Sequence, residues 1–209
     1  MGVVETIALT MGVGWASGLN LYAAVAVLGL LHQTGHLVLP PDLLVLADPL
    51  VIGAALLMYV AEFFADKVPG VDTGWDAVHT FIRIPAGALL AAGAVGDLSP
   101  AAEVAAALAG GTLAAGSHFV KAGSRVLINT SPEPVTNWTA SLAEDTAVLA
   151  GLFTALYHPW IFLGLLAAFV LLASWLLPRL ARGIRRVFAT LAGFFRRRPA
   201  PDRGPGPDS

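Results

Sequence analysis

Several stretches of this 209-residue chain place ionisable side chains at helical spacing inside otherwise apolar sequence. Glu62 and Asp66 are one turn apart, so on a helix they share a face, which Tyr59 and Ala55 extend. Asp76, His79 and Arg83 fall at i, i+3 and i+7. His118, Lys121 and Arg125 repeat that spacing, and Glu144 and Asp145 follow in the next stretch. Asn20 is a polar residue within the first apolar stretch, near its middle. A charge near the bilayer centre costs on the order of 3 kcal/mol or more, so such groups face a bundle interior or a wet cavity and mark ion or proton paths. These residues form one candidate set for a shared polar cavity. Read one at a time they have plainer roles. Lys67, Lys121 and Arg125 could snorkel to a membrane surface, and Glu144 and Asp145 could complement a helix N-terminus.

The balance of sign indicates the chemistry. Glu62, Asp66, Asp72, Asp76, Glu133, Glu144 and Asp145 oppose Lys67, Arg83, Lys121 and Arg125. The acidic surplus favours protons or cations over anions, although a zwitterion could use the arginines. For Glu62 the candidate partners are Arg83, Lys121 and Arg125, with Arg125 first because its helix carries the most basic charged face. His79 and His118 could ligate a metal with Asp76 or Glu62, but no specific ligand motif joins them, and no metal or cofactor is expected. H-E-x-x-H, G-x-S-x-G and P-loop patterns are missing, so an enzyme is not the reading. With no cysteine in the chain, disulfides and thiol chemistry are excluded.

The elements that must position these residues are membrane helices. Hydrophobic residues make up 56% of the chain, charged residues 12%, and mean hydropathy is +0.74. Such a composition would leave a soluble protein with large exposed apolar patches. Six stretches approach the ~20 residues a span needs: 3–31, 48–67 with Asp48-Pro49 as a start signal, 73–96 opened by Thr73 and Asp76 and containing Pro85, 99–128 opened by Ser99-Pro100, 141–158 with Ser141 and Glu144 at capping-box spacing, and 160–177. The fold expected is all-α: a polytopic transmembrane bundle over residues 1–178, a basic amphipathic interfacial helix over 179–198, and a disordered tail over 199–209. From Arg179 onward eight arginines face two aspartates, whereas residues 1–178 hold four basic and twelve acidic side chains. The positive-inside rule then predicts a multi-pass protein of the cell inner membrane with both termini cytoplasmic. The tail would lie on anionic lipid. Basic residues so placed argue against nucleic acid as a partner. A small solute or cation is the expected ligand and a homo-oligomer is open.

Gly14 and Gly18 form G-x-x-x-G on the first helix, and Gly110, Gly111, Ala114 and Ala115 give small-x-x-x-small on the fourth, both suited to close helix contact. A weak internal repeat pairs Pro69 and Trp75 with Pro132 and Trp138, and pairs the two charged triplets. The segments WASGLNLYAAVAVLGLL, ADKVPGVDTGWDAVHTFIRIPAGALL and AAGSHFVKAGSRVLINTSPEPVTNW resemble the family catalogued as domain of unknown function 4126, over roughly residues 5–178. That resemblance implies a multi-helix membrane domain and brings no catalytic or binding residue.

Overall fold

The computed structural model describes residues 2–96, 98–130 and 134–196, with side chains described as far as Thr190. Glu133 and Pro132, the end of the expected amphipathic segment at 197–198 and the tail at 199–209 lie outside the described residues. Among the described residues the fold is all-helical: α1 (Val3–Gln33), a 3-10 helix (Pro41–Ala47), α2 (Pro49–Ala65), α3 (Val71–Val95), α4 (Pro100–Ile128), α5 (Pro134–Tyr157) and α6 (Pro159–Arg196). α1, α3 and α6 are each long and apolar enough to cross a membrane, and the 3-10 helix with α2, bent by 65°, makes a fourth candidate. α4 and α5 have the length but are richer in small and polar residues.

The local start signals explain most boundaries. The Asp48 carboxylate accepts from Leu50 N at 2.7 Å and the Ser99 hydroxyl from Ala102 N at 3.2 Å, each just ahead of a proline at the first helical position. α3 begins at Val71 rather than Thr73. Gly70, at φ +87°, turns the chain, and Asp72 accepts from Gly70 N at 2.8 Å and Thr73 N at 2.6 Å. α5 begins at Pro134, so Ser141 and Glu144 lie two turns or more inside it rather than capping it. α6 continues through Pro178, the expected boundary, to Arg196. Leu180 is buried against Gly123, and Leu127 packs on Gly183, so side-chain contacts with α4 hold the extension in place.

α1 is helical on both sides of Asn20 but broken at it (φ −150°, ψ 94°). Thr6 lines a groove with Val95 and Leu98, at the C-terminal end of α3. Gly29 abuts Leu46 and Ile52, and Leu43 in turn lies against Gly93, at that same end of α3. A straight helix would separate Thr6 and Gly29 by about 35 Å at 1.5 Å per residue. α1 therefore goes in, reverses at Asn20 and returns, with residues 3–19 and 21–33 as its two arms. The sequence expectation of a through-going first helix missed this because both arms are apolar. The later helices alternate between this far end and the end that carries the 66–70 turn, here called the loop end. The start of α1 is thus at the far end, while Arg179 and its neighbours, beyond Leu177 beside the last turns of α4, are at the loop end.

Toward the loop end the bundle is polar inside and apolar outside. On α3, Asp72, Asp76, His79 and Arg83 are buried while Phe81 is 83% and Leu89 73% exposed. A water-soluble amphipathic helix has the opposite arrangement. This inversion fits a lipid surround.

Candidate functional site

Two helices running in the same direction set the frame. α2 carries Glu62 near its end, with Asp66 one turn on as its C-cap, and α4 carries Lys121 and Arg125 one turn apart near its own end. The pairs meet rung by rung. Lys121 Nζ lies 2.9 Å from Glu62 Oε1 and 2.9 Å from Asp66 Oδ2. Arg125 donates to Asp66 O at 2.7 Å and approaches Asp66 Oδ2 at 3.5 Å. From α3, Arg83 reaches Glu62 at 2.5 Å and Asp76 at 3.4 Å. From α5, Glu144 pairs with Arg125 at 2.6 Å and approaches Lys121 at 3.7 Å. Asp72 approaches Arg125 at 3.8 Å, and Asp76 lies 4.0 Å from Lys121. Glu62 therefore pairs with Arg83 and Lys121, two of the three candidates, and not with Arg125, the first choice. In a parallel pair of helices Arg125 falls one turn below Glu62 and meets Asp66 instead. Lys121 and Arg125 are buried, so neither snorkels.

The reversal of α1 lies inside this network. The C-terminal carbonyls of a helix lack intrahelical partners and carry the negative end of its dipole. Lys121 donates to Leu19 O at 3.1 Å and Arg83 to Gly18 O at 3.4 Å, which satisfies the end of the first arm. Asn20 starts the second: its Oδ1 accepts from Ala23 N at 2.9 Å as an N-cap, and its Nδ2 donates to Asp145 Oδ1 at 3.0 Å. The close approach this needs comes from the small residues. A Cβ on Gly14 would lie 2.6 Å from Gly110 Cα, and one on Gly18 would collide with Ala114 O. Gly110 and Ala114 are thus the facing pair on α4, and Gly111 packs on Ala88 of α3.

The histidines flank the ion pairs. His79 Nδ1 donates to Trp75 O at 2.8 Å, so in the neutral ring Nε2 accepts from Tyr22 OH at 3.0 Å. Trp75 stacks on it with centroids 4.4 Å apart. His118 Nε2 meets the Thr80 hydroxyl at 2.7 Å. No group of three or more His, Cys, Asp or Glu among the described residues is arranged to hold a metal ion. The sequence reading counted Asp72 only towards the charge and passed over Asn129 and Asn137. Asn137 donates to Asn129 Oδ1 at 2.8 Å, and Asn129 donates to both Asp72 oxygens at 2.7 and 2.9 Å. The signal was present as the two asparagines within NTSPEPVTNW. Lys67 stands 2.9 Å over the Phe63 ring and donates to Phe63 O at 3.0 Å, a buried placement rather than a surface one.

All the sequence-selected residues therefore converge on one buried region. Six carboxylates (Glu62, Asp66, Asp72, Asp76, Glu144, Asp145) are set among four cations (Lys67, Arg83, Lys121, Arg125). Glu62 Oε2, Asp66 Oδ1, Asp76 Oδ2 and Asp145 Oδ2 are buried and accept no hydrogen bond among the described residues. Grooves lie elsewhere, on the apolar outside, among them one of about 930 Å³ between α4 and α6 with Met11 at its edge and one of about 380 Å³ nearer the loop end of the same helices.

The family model described as a domain of unknown function (DUF4126) matches residues 7–179, and the chain belongs to that family. No curated protein and no solved structure matches it.

Proposed function

We propose that this member of the family is a multi-pass protein of the cell inner membrane that moves a small solute, linked to protons or cations, and has no catalytic step. The observation that carries the reading is the reversal of α1 at Asn20, inside a buried network with more carboxylates than cations. Broken helices whose freed carbonyls and half-helix ends face charged groups near mid-membrane are a device of secondary transporters. Non-helical backbone at that depth is tolerated only where protein or a water-filled cavity surrounds it. On this reading α2 to α6 cross the membrane, α1 enters and leaves from one side, and the arginines after Pro178 mark the cytoplasmic face. Those arginines would meet anionic lipid, and the rhyme between the α2–α3 and α4–α5 turns would be the residue of a duplication. A homo-oligomer remains compatible with it.

The test is charge displacement. Proteoliposomes adsorbed on a solid-supported electrode should give a transient current after a jump in proton or sodium concentration, and Glu62→Gln should reduce it several-fold. A wild-type response equal to that of protein-free liposomes would refute the reading. Lipid handling is the second reading, favoured by the apolar grooves along α4 and α6. Currents absent alongside accelerated scrambling of a labelled lipid would select it.

A further inference from the structure

We propose that Asp145 is the proton-binding residue of this network, holding its proton on Oδ2, and that its protonation state sets how firmly α5 grips the reversal of α1. The proposal rests on the ion-linked reading above and names the ion.

Asp145 differs from the other five carboxylates. Glu62, Asp66, Asp72, Asp76 and Glu144 each lie within 4.0 Å of Arg83, Lys121 or Arg125. Among the described residues no Lys or Arg nitrogen comes that close to Asp145; the Asn20 amide donates to its Oδ1 at 3.0 Å, and the Tyr59 hydroxyl is the other neutral donor beside it. The residue is 9% exposed and Oδ2 is buried without a partner among the described residues. An uncompensated buried charge is strongly unfavourable, and a carboxyl group relieves it by taking a proton. The groups around it do not supply the missing cation. Glu62, Asp66 and Tyr59 of the α2 region are acidic or neutral, and Asn20 of α1 is neutral. Lys67 is engaged by Phe63 and Ser141, and Lys121 and Arg125 of α4 are committed to other carboxylates.

The balance of the step is simple. A proton from water adds to Oδ2, and the carboxylate becomes a neutral acid. Oδ1 remains a carbonyl oxygen and still accepts from Asn20. A hydrogen bond to an ionised acceptor is roughly twice as strong as one to a neutral acceptor. Deprotonation therefore tightens the tie to Asn20, the residue that caps the second arm of α1, and protonation loosens it. Access is short, because the neighbouring Glu144 is the most exposed acid of the network, its side chain 16% exposed.

Infrared difference spectroscopy on purified protein in detergent tests this without any flux, so a failed transport reading and a failed proton site stay distinguishable. At neutral pH wild-type protein should show the carbonyl stretch of a protonated carboxylic acid. That band should shift when aspartate is labelled at the carboxyl carbon, vanish in Asp145→Asn, and survive replacement of choline by sodium. A band that stays in Asp145→Asn would overturn the assignment to this residue. A band that sodium abolishes would make the ligand a metal cation instead. If Asp145→Asn does not fold, Asp145→Glu decides: the acid band should remain but no longer shift with the aspartate label, and a band that still shifts overturns the proposal.

Discussion

The two ends of the bundle are held together by different forces, although the same helices run through both. Toward the far end the inner residues are Leu9, Val13, Leu90, Ala94, Val148, Leu152 and Phe162, packed without charge. Toward the loop end, α2, α3 and α4 turn ionic, with Glu62, Arg83, His118, Lys121 and Arg125 all buried. In a bilayer the apolar end gains little from burial itself, since lipid is as apolar as leucine, and only packing holds it. The ionic end has no such freedom, because its charges have nowhere else to go. Stability should therefore be concentrated in the ionic end and close packing in the apolar one. The α1 reversal joins the two: its arms contribute apolar surface to the far end and Asn20 a cap to the other.

The comparison depends on which end is which, and the largest expected effect tests that. The chain has no cysteine, so single replacements at Val3 and Thr190 can be read cleanly. An impermeant thiol reagent added to intact cells should label Val3→Cys and leave Thr190→Cys untouched. Equal shielding of both would restore the through-going first helix and both termini to the cytoplasm, as the sequence alone suggested.

Next comes the contrast in energy. Arg83→Met leaves Glu62 and Asp76 short of a partner, and breaking a buried pair from one side costs about 3–5 kcal/mol. Leu152→Ala removes a fully buried side chain from the apolar end. With the transfer term weakened by lipid, only the cavity term remains, on the order of 1–2 kcal/mol. Thermal unfolding in mild detergent should rank the arginine variant as clearly the weaker. Equal losses would mean that the ionic end is solvated and contributes no more than ordinary packing.

A finer test asks whether the rungs are individual. Glu62→Gln combined with Arg83→Met or with Lys121→Met should fall short of additivity by about 0.5–3 kcal/mol, whereas Glu62→Gln with Arg125→Met should add to within ~0.5 kcal/mol. Coupling to all three would show one delocalised cluster in place of the ladder between α2 and α4.

What the sequence disclosed and what it hid divide along the same line. Starts that depend on neighbours in the chain were legible, as Asp48-Pro49 and Ser99-Pro100 show, and so was the list of charged residues that converge. The hidden features were set by distant contacts. Asn20 reads as a polar residue in a helix until its amide meets Asp145. The three basic candidates for Glu62 could not be ranked without knowing that α2 and α4 run in the same direction. The start of α5 at Pro134 was not legible, because the capping pattern the sequence offered, Ser141 with Glu144, pointed seven residues too far.

The smallest effect concerns the outside of the ionic end. α6 runs on past Pro178, where Leu180 covers Gly123 and Gly183 receives Leu127. Truncation after Pro178 strips that cover from the last turns of α4, the turns that hold Lys121 and Arg125 in register. Truncation after Thr190 leaves it in place. The longer deletion should lower the unfolding midpoint by the equivalent of about 1 kcal/mol, the scale of one lost apolar contact region, while the shorter one should not move it. Both remove arginines, so both should weaken binding to vesicles containing anionic lipid, at roughly 1 kcal/mol per basic residue near the surface. The two readouts separate two roles of one helix: its inner face as a brace for α4, its arginines as a contact with the membrane surface. If the longer truncation unfolds no earlier than the shorter, α6 beyond Pro178 is a surface helix only, and the ladder between α2 and α4 holds its register unaided.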